Sequence, residues 1–165
     1  MTTGRLLERY DSEAELVRRA GEIAAAWDCL RSEPLLVGLE GELGSGKTTW
    51  VRGALAGLGH VGRVPSPTYT LVEHYPLGDL SVVHVDLYRL ADATDAELEA
   101  LGLRDWLDSP ATWIFVEWSD RSSRLAQRAD LTIRFESQGE QRRTLEFRGS
   151  KPVGVRALES LGQVA

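Results

Sequence analysis

The sequence predicts an α/β fold in which helices cover both faces of a mixed, largely parallel β-sheet, giving three layers. Short apolar runs typical of buried strands alternate with stretches of helical spacing along most of the chain. Near the carboxyl end, two alternating runs flank Gly139 and predict an antiparallel pair of strands. The chain has 165 residues, of which 42% are hydrophobic and 27% are charged. This length suits one substantial core, so we expect a single domain over residues 1–165.

The first half of the chain is predicted to hold two strand–helix units. Apolar residues of the first helix recur on one helical face, and Asp11 or Ser12 is a suitable N-cap. Gly53 and Gly57 interrupt the second helix, and we expect them to allow close packing of this helix against the sheet. The predicted spans are a strand over 5–10, a helix over 11–27, a strand over 34–41 and a helix from about 46 to 58.

The second half is predicted to continue this alternation before the antiparallel pair. The segment VPSPTYTLVE (64–73) predicts a turn that enters a strand, with Tyr69, Leu71 and Val72 beginning the strand. Thr94 is placed to cap the next helix. The remaining spans are a strand over 81–90, a helix over 94–107, a strand over 112–118, paired strands over 129–137 and 142–150, and a helix over 153–162.

Composition and charge argue against several classes of protein. The net charge is −6 and acids and bases are mixed along the chain, which argues against a surface that binds DNA or other nucleic acid directly. Cys29 is the only cysteine, so neither an internal disulfide nor a cysteine-based zinc site can form within one chain. No apolar run approaches the length of a membrane span, and the first residues lack the apolar core of a signal peptide. We therefore expect a cytoplasmic protein that does not enter a membrane.

A glycine-rich phosphate-binding motif lies at residues 41–48. The segment GELGSGKT matches G-x-x-x-x-G-K-[ST] and lies between a predicted buried strand and a predicted helix, as the motif requires. Glycines let consecutive backbone N–H groups turn towards phosphate oxygens, and the helix N-terminus adds its positive dipole. Lys47 has the reach to contact the β- and γ-phosphates, and the Thr48 hydroxyl is suited to hold Mg²⁺. The sequence therefore predicts a P-loop nucleotide-binding domain.

Two carboxylates follow predicted buried strands. Asp86 ends VVHVD and Glu117 ends WIFVE. Because the carboxyl ends of parallel strands meet at the crevice where phosphates bind, we expect both side chains near the P-loop. One would hold Mg²⁺, directly or through water, and the other would orient or deprotonate the attacking water. The residues alone do not decide which carboxylate has which role.

Missing motifs narrow the class of nucleotide-binding protein. The chain has no asparagine and no Asp followed by Gly three residues later, so both the N-K-x-D and the D-x-x-G elements of GTPases are absent and adenine is the expected base. The LSGGQ signature of transporter ATPases is absent too. A kinase of a small metabolite stays open as an alternative, because Arg121, Arg124 and Arg128 would suit its mobile lid. Such a charge run is also typical of a solvated helix face.

Four motifs follow one another along residues 36–118, and they read GELGSGKTTWVRG, SPTYTLVEHY, HVDLYRL and FVEW. In this order and spacing they resemble the TsaE family, small bacterial ATPases of tRNA threonylcarbamoyladenosine biosynthesis. The resemblance implies a P-loop NTPase domain that binds ATP or ADP with Mg²⁺. It also implies association with the TsaD–TsaB pair, which transfers the threonylcarbamoyl group to tRNA. ATP hydrolysis would be slow alone and stimulated by that pair, and tRNA would be involved only indirectly.

The resemblance also implies roles for individual residues. Thr48 and Glu117 correspond to the Mg²⁺ ligands, Asp86 to the Walker B acid, and Trp118 to the tryptophan beside the nucleotide. Lys47 is the motif lysine that acts on the phosphates. The residues implied to bind the nucleotide are Gly41, Glu42, Leu43, Gly44, Ser45, Gly46, Lys47, Thr48, Thr49 and Trp118.

The proline-containing segment acquires a candidate function from its neighbours. Pro65 and Pro67 fix φ and disfavour helix before them, which by itself indicates a structural turn. Beside the P-loop and the resemblance, the Thr68 hydroxyl is predicted to sense the γ-phosphate or Mg²⁺. Thr68 thereby joins Lys47 and Asp86 as a predicted catalytic residue. A third functional class, a nucleotide-gated binding module with negligible turnover, is compatible with the same residues.

Overall fold

The computed structural model describes residues 3–90 and 92–162. Within these residues, seven strands form one sheet. They are β1 (Gly4–Tyr10), β2 (Leu35–Glu40), β3 (Val72–Leu77), β4 (Leu80–Asp86), β5 (Thr112–Glu117), β6 (Leu131–Gln138) and β7 (Arg142–Gly149). The strand order is β1-β7-β6-β2-β5-β4-β3. Neighbours from β6 through β2 and β5 to β4 are parallel, and the outer pairs are antiparallel.

In the described part of the chain, six α-helices lie on the two faces of this sheet. They are α1 (Glu13–Ala26), α2 (Lys47–Gly57), α3 (Asp95–Ala100), α4 (Leu103–Trp106), α5 (Ser123–Arg128) and α6 (Pro152–Glu159). One buried cluster joins α1, α2 and α6 to one face, and a second joins α3, α4 and α5 to the other. The three-layer α/β prediction with a mixed sheet is therefore confirmed. None of the helices in these described ranges is long and apolar enough to span a membrane.

Side chains along the central strands point alternately to the two faces of the sheet, and this alternation decides which of them lie on the face that α2 covers. In β5, Trp113 and Phe115 belong to the cluster under α1 and α2, whereas Ile114 and Val116 belong to the opposite cluster. The same alternation in β4 directs His84 and Asp86 to the face of α2. Polar side chains at the ends of β4 and β5 are thereby brought to the end of the sheet where α2 begins.

Close packing of α1 on α2 fixes the position of the second helix. A Cβ atom added to Gly57 would lie 2.2 Å from the Gly21 carbonyl oxygen, and one added to Gly53 would lie 2.5 Å from the Val17 carbonyl oxygen. The glycines thus serve close packing, as predicted, but the partner is α1 and the prediction of packing against the sheet is wrong. The glycines of α2 therefore allow its close contact with α1.

Three predicted boundaries differ from the structure. The strand predicted over 81–90 ends at Asp86, because a turn follows in which Leu90 N–H donates to the Leu87 carbonyl. The helix predicted over 94–107 is divided into α3 and α4 at a turn through Gly102. Tyr69 and Leu71 do not begin β3, which starts at Val72, because residues 67–70 form a turn closed by Leu71 N–H on the Pro67 carbonyl.

Candidate nucleotide-binding site

A cleft of about 500 Å³ opens where β2, β4 and β5 end and α2 begins. The phosphate-binding motif forms one wall, and the ends of β4 and β5 form its floor. The side chains of Glu13, Leu16 and Arg143 border it on the side of α1 and β7. This is the crevice at the carboxyl ends of parallel strands in which α/β proteins bind ligands.

The P-loop turns sharply between β2 and α2. Gly46, the residue before the first helical turn, has a φ of 106°, a left-handed conformation that glycine adopts without steric cost. Ser45 beside it is buried, and α2 starts with Lys47, so the N-terminus of this helix points into the cleft. This is an anion-binding arrangement, because free N–H groups and the helix dipole face the same space.

Lys47 is buried against the loop that carries it. Its Nζ donates to the carbonyl of Glu42 at 3.0 Å and to that of Gly41 at 2.5 Å. The same Nζ lies 4.0 Å from the ring centroid of Trp118. Burial lowers the pKa of the Lys47 ammonium, although the carboxylates of Glu117 and Asp86 act in the opposite direction. The ammonium group is thus close to the cleft and held by groups that carry no full charge.

Thr48 and Glu117 contact each other across the floor of the cleft. The Thr48 hydroxyl lies 2.8 Å from Oε1 and 2.9 Å from Oε2 of the Glu117 carboxylate. That carboxylate is 3% exposed and also accepts a hydrogen bond from Nε2 of His84. Two residues that lie 69 positions apart in the sequence therefore form one cluster of oxygen donors.

Asp86 is the meeting point of β4 and the proline-containing segment. Its Oδ2 accepts a hydrogen bond from the Thr68 hydroxyl at 3.1 Å, and the Ser66 hydroxyl lies 3.4 Å from the same oxygen. Its Oδ1 accepts from the backbone N–H of Tyr88 at 2.8 Å. The parallel register of β4 and β5 sets Asp86 directly beside Glu117. The two carboxylates consequently occupy the same end of the sheet.

Two residues beside the cleft have backbone conformations that their side chains disfavour. Trp118, which follows β5, has a φ of 60°, and Leu71, which precedes β3, has a φ of 66°. Each such conformation costs on the order of 1–3 kcal/mol and is typical of functional sites. Leu71 is held by its own carbonyl, which accepts from the N–H of Asp86, and Trp118 is held by its N–H, which donates to the Leu39 carbonyl.

An aromatic and cationic cluster surrounds Trp118. The ring centroids of Trp118 and Tyr88 are 5.2 Å apart, and the Arg121 guanidinium lies 4.8 Å from the Trp118 centroid. Because Lys47 also lies over this ring, Trp118 contacts a cation of the P-loop and a cation of the segment after β5. A movement of the Lys47 ammonium group would therefore change the surroundings of the Trp118 indole.

The donor set at Thr48 and Glu117 fits Mg²⁺. Hydroxyl and carboxylate oxygens are the hard ligands that this cation prefers, and Mg²⁺ commonly binds through one or two carboxylates together with substrate phosphates. In the described ranges, no group of three or more His, Cys, Asp or Glu side chains is arranged to hold a metal by itself. The residues present therefore suit a cation that arrives with a phosphate ligand.

Most of the predicted site residues lie together, and two do not line the cleft. The predicted residues that line it are Leu43, Gly44, Ser45, Gly46, Lys47, Thr48, Thr49, Thr68, Asp86, Glu117 and Trp118. Gly41 and Glu42 lie behind the loop, where their carbonyls hold Lys47. The arginines considered for a kinase lid, all in the described part of the chain, are outside the cleft lining. Arg124 pairs with Asp95 and Arg128 with Asp108.

Sequence reasoning missed several residues of the cleft. Arg143 of β7 donates through Nε to the Ser45 carbonyl at 3.1 Å, and Glu140 and Gln141 border the cleft from the hairpin before it. No motif marks these residues, because they reach the P-loop only through the order of strands in the sheet. His84 is buried beside Glu117, and its alternation with Asp86 along β4 is the one local signal that it faces the same side.

The comparisons with known proteins agree on one family. A family model described as threonylcarbamoyl adenosine biosynthesis protein TsaE matches residues 10–145. Proteins named tRNA threonylcarbamoyladenosine biosynthesis protein TsaE are similar in sequence. That of Haemophilus influenzae is 46% identical over 60% of this chain and 61% of its own length. That of Streptomyces coelicolor is 44% identical over 64% of this chain and 66% of its own length.

Other relatives extend the similarity. The Mycobacterium leprae protein of the same name is 35% identical over 79% of this chain and 80% of its own length. The crystal structure of Bacillus subtilis YdiB covers 99% of this chain with a TM-score of 0.73 and 23% identity, which supports the fold. The matching segment spans less than two thirds of the Haemophilus and Streptomyces proteins.

Proposed function

The chain belongs to the TsaE family of threonylcarbamoyl adenosine biosynthesis proteins, and from this premise we propose that it is a Mg²⁺-dependent ATPase. Its proposed role is that of an accessory protein required for threonylcarbamoyladenosine modification of tRNA. The observation that carries the proposal is the convergence of a P-loop lysine, a hydroxyl–carboxylate pair and a second carboxylate on one cleft. Each of these groups has a place in phosphoryl transfer from ATP to water.

The P-loop would bind the phosphates. Its free N–H groups and the dipole of α2 face the cleft, so the β-phosphate of ATP or ADP would occupy the space above Gly46. Lys47 would leave the carbonyls of Gly41 and Glu42 for the phosphate oxygens, because a charge-assisted hydrogen bond is stronger than one to a neutral carbonyl. The base would lie towards Arg143, where α1 and the β6–β7 hairpin border the cleft.

Thr48 and Glu117 would hold Mg²⁺, which supplies charge neutralisation at the β- and γ-phosphates when it is bound. Their mutual hydrogen bond keeps the two oxygen donors on one side of the cleft. Asp86 would orient the attacking water and accept its proton, and Thr68, which donates to Asp86, would respond to the γ-phosphate. Trp118 would contact the nucleotide beside Lys47.

The proposed partners are the TsaD and TsaB proteins, with tRNA involved indirectly. The proposal rests on family membership. It rests also on the low hydrolysis rate that we expect of the chain alone, because Arg121, Arg124 and Arg128 do not line the cleft and so would not stabilise the transition state. A nucleotide-driven change in the segment around Thr68 would then be transmitted to the pair.

The test is phosphate release from ATP by the purified chain, with and without the TsaD–TsaB pair of the same organism. We expect slow hydrolysis by the chain alone, clear stimulation by the pair, and co-sedimentation with the pair in MgATP. The proposal fails if the pair changes neither hydrolysis nor sedimentation. Transfer of a labelled γ-phosphate to a small acceptor would indicate a kinase instead. Association that requires ATP and survives Asp86→Asn without turnover would indicate a nucleotide-gated binding module.

A further inference from the structure

A buried histidine contacts the proposed Mg²⁺ ligand. His84 is fully buried, and its Nε2 lies 2.5 Å from Oε2 of Glu117. A carboxylate offers only acceptors, so the imidazole donates this hydrogen bond through its Nε2–H. The contact joins the neighbouring strands β4 and β5 on the face of the sheet that α2 covers.

The histidine occupies a position where an apolar residue would pack at lower cost. The same face of β4 carries the buried Leu80 and Val82 before it. The second ring nitrogen of His84, Nδ1, is buried and has no hydrogen-bond partner among the described residues. A buried polar atom without a partner destabilises the folded state. The hydrogen bond to Glu117 is therefore the one contact of the imidazole that an aliphatic side chain would not provide.

The remaining contacts of Glu117 show what this hydrogen bond determines. The Thr48 hydroxyl lies at nearly equal distances from both carboxylate oxygens, 2.8 and 2.9 Å, so it does not select one of them. His84 contacts Oε2 alone. It thus fixes the rotation of the carboxylate, whereas Oε1 accepts from the Thr48 hydroxyl and from no other side chain among the described residues.

We infer that His84 is the positioning residue for the Glu117 carboxylate, and that it sets the affinity of the site for Mg²⁺. The inference rests on the proposed function, in which Glu117 is a Mg²⁺ ligand. Groups that hydrogen-bond a metal ligand from behind fix its orientation, and their removal typically lowers metal affinity about 10- to 100-fold. His84 does not itself line the cleft, and the cleft-lining side chain that it hydrogen-bonds is Glu117, so its effect passes through Glu117.

The test uses two variants that remove the ring and differ in the donor they leave. The glutamine amide nitrogen reaches about as far as Nε2, whereas the asparagine amide reaches only as far as Nδ1. Binding of a fluorescent ADP to the full chain is measured in EDTA and across a Mg²⁺ titration. We expect His84→Asn to raise the Mg²⁺ concentration for half-maximal effect about tenfold or more. We expect His84→Gln to stay close to wild type, and both to keep the Mg²⁺-free affinity for ADP.

A third variant and a double variant keep the test decisive. His84→Leu removes both the hydrogen bond and the unpartnered Nδ1, so it should fold well and still weaken the Mg²⁺ response. Glu117→Gln should remove most of that response, and adding His84→Leu to it should change nothing further, because the histidine acts through Glu117. Thermal unfolding followed by circular dichroism confirms that each variant is folded.

The outcomes separate this inference from the proposed function. If wild-type ADP binding does not depend on Mg²⁺, the proposed function fails at its metal site. If wild type responds to Mg²⁺ and His84→Leu responds identically, the His84 inference fails alone. Equal loss of ADP affinity in EDTA and in Mg²⁺ would assign His84 to the packing of the core and would overturn the inference as well.

Discussion

Two segments bring a threonine hydroxyl to the same cleft, and the structure holds them in different ways. Thr48 stands on α2, which is fixed by the buried Trp50 and by the close approach of α1 at Gly57. Thr68 stands in an irregular turn whose next residue, Tyr69, is 81% exposed. The hydroxyl of Thr68 is held by Asp86.

The difference separates the two tasks of the proposed site. A hydroxyl fixed by the core is suited to hold a cation at a constant position, because little moves when the ligand arrives. A hydroxyl held by a hydrogen bond to a carboxylate is suited to respond, since the phosphates of a nucleotide would compete with the carboxylate for that hydroxyl and release the segment. The P-loop should therefore govern affinity and the segment around Thr68 should govern turnover.

The largest expected effect is at Asp86, the carboxylate that holds the Thr68 hydroxyl. Asp86→Asn keeps the size of the side chain and one acceptor oxygen for the Tyr88 N–H, but removes the proposed proton acceptor. We expect stimulated phosphate release to fall on the order of 10²- to 10⁴-fold, the range for loss of a general base. Nucleotide affinity should change little. Asp92→Asn, a change at an exposed residue of the following loop, is the matched control and should hydrolyse ATP normally.

The next largest effect should be on affinity, at the P-loop. Lys47→Ala removes a charge-assisted contact to phosphate, for which we expect a loss of about 10- to 100-fold in ATP affinity by calorimetry. The chain supplies its own control. Lys151 is the only other lysine and donates to the Arg128 carbonyl at 2.8 Å, away from the cleft. Unaltered ATP affinity in Lys47→Ala would contradict the assignment of the loop.

Whether contact with α1 fixes α2 is tested by the direction in which Gly57→Ala changes the free energy of unfolding. Helix propensity alone predicts that Gly57→Ala raises the free energy of unfolding by about 1 kcal/mol. The added methyl would lie 2.2 Å from the Gly21 carbonyl, so we expect a decrease of roughly 1–3 kcal/mol instead. Equilibrium unfolding in urea measures this change in the free energy of unfolding. A stabilised variant would show that α1 does not fix α2.

The smallest expected effect is at Thr68. Thr68→Ala removes the hydrogen bond to Asp86, and we expect stimulated hydrolysis to fall about tenfold, the size of one hydrogen bond to a charged group. ATP affinity should stay within about twofold. Thr70→Ala is the matched control, since the Thr70 hydroxyl lies two residues away and bonds to Glu73. If both variants hydrolyse ATP as wild type does with the pair present, the segment is a structural turn only.

The sequence was sufficient where a signal is local. The helical face of α1 and its N-cap at Ser12 are properties of neighbouring residues, and both are confirmed. The capping role of Thr94 is confirmed in the same way, by a capping box with Glu97. The α/β fold follows from the alternation of such elements. The break at Gly102 was missed because an isolated glycine is tolerated inside many helices.

The sequence was insufficient where strand order decides. Arg143 reaches Ser45 because β6 pairs with β2 and β7 with β6, and no local pattern encodes that order. The contact of His84 with Glu117 likewise requires the register of β4 against β5. Leu71 was predicted to begin a strand because its apolar alternation was visible, whereas its positive φ is imposed by the Pro67 and Asp86 backbone contacts.

The most direct test of the central claim is calorimetric titration of the wild-type chain with ATP, in Mg²⁺ and in EDTA. The account predicts one saturable site per chain, tighter binding in Mg²⁺ than in EDTA, and loss of that difference in Glu117→Gln. Absence of ATP and ADP binding at millimolar concentration, or binding that is equally tight in EDTA, would contradict a Mg²⁺-nucleotide site in this cleft.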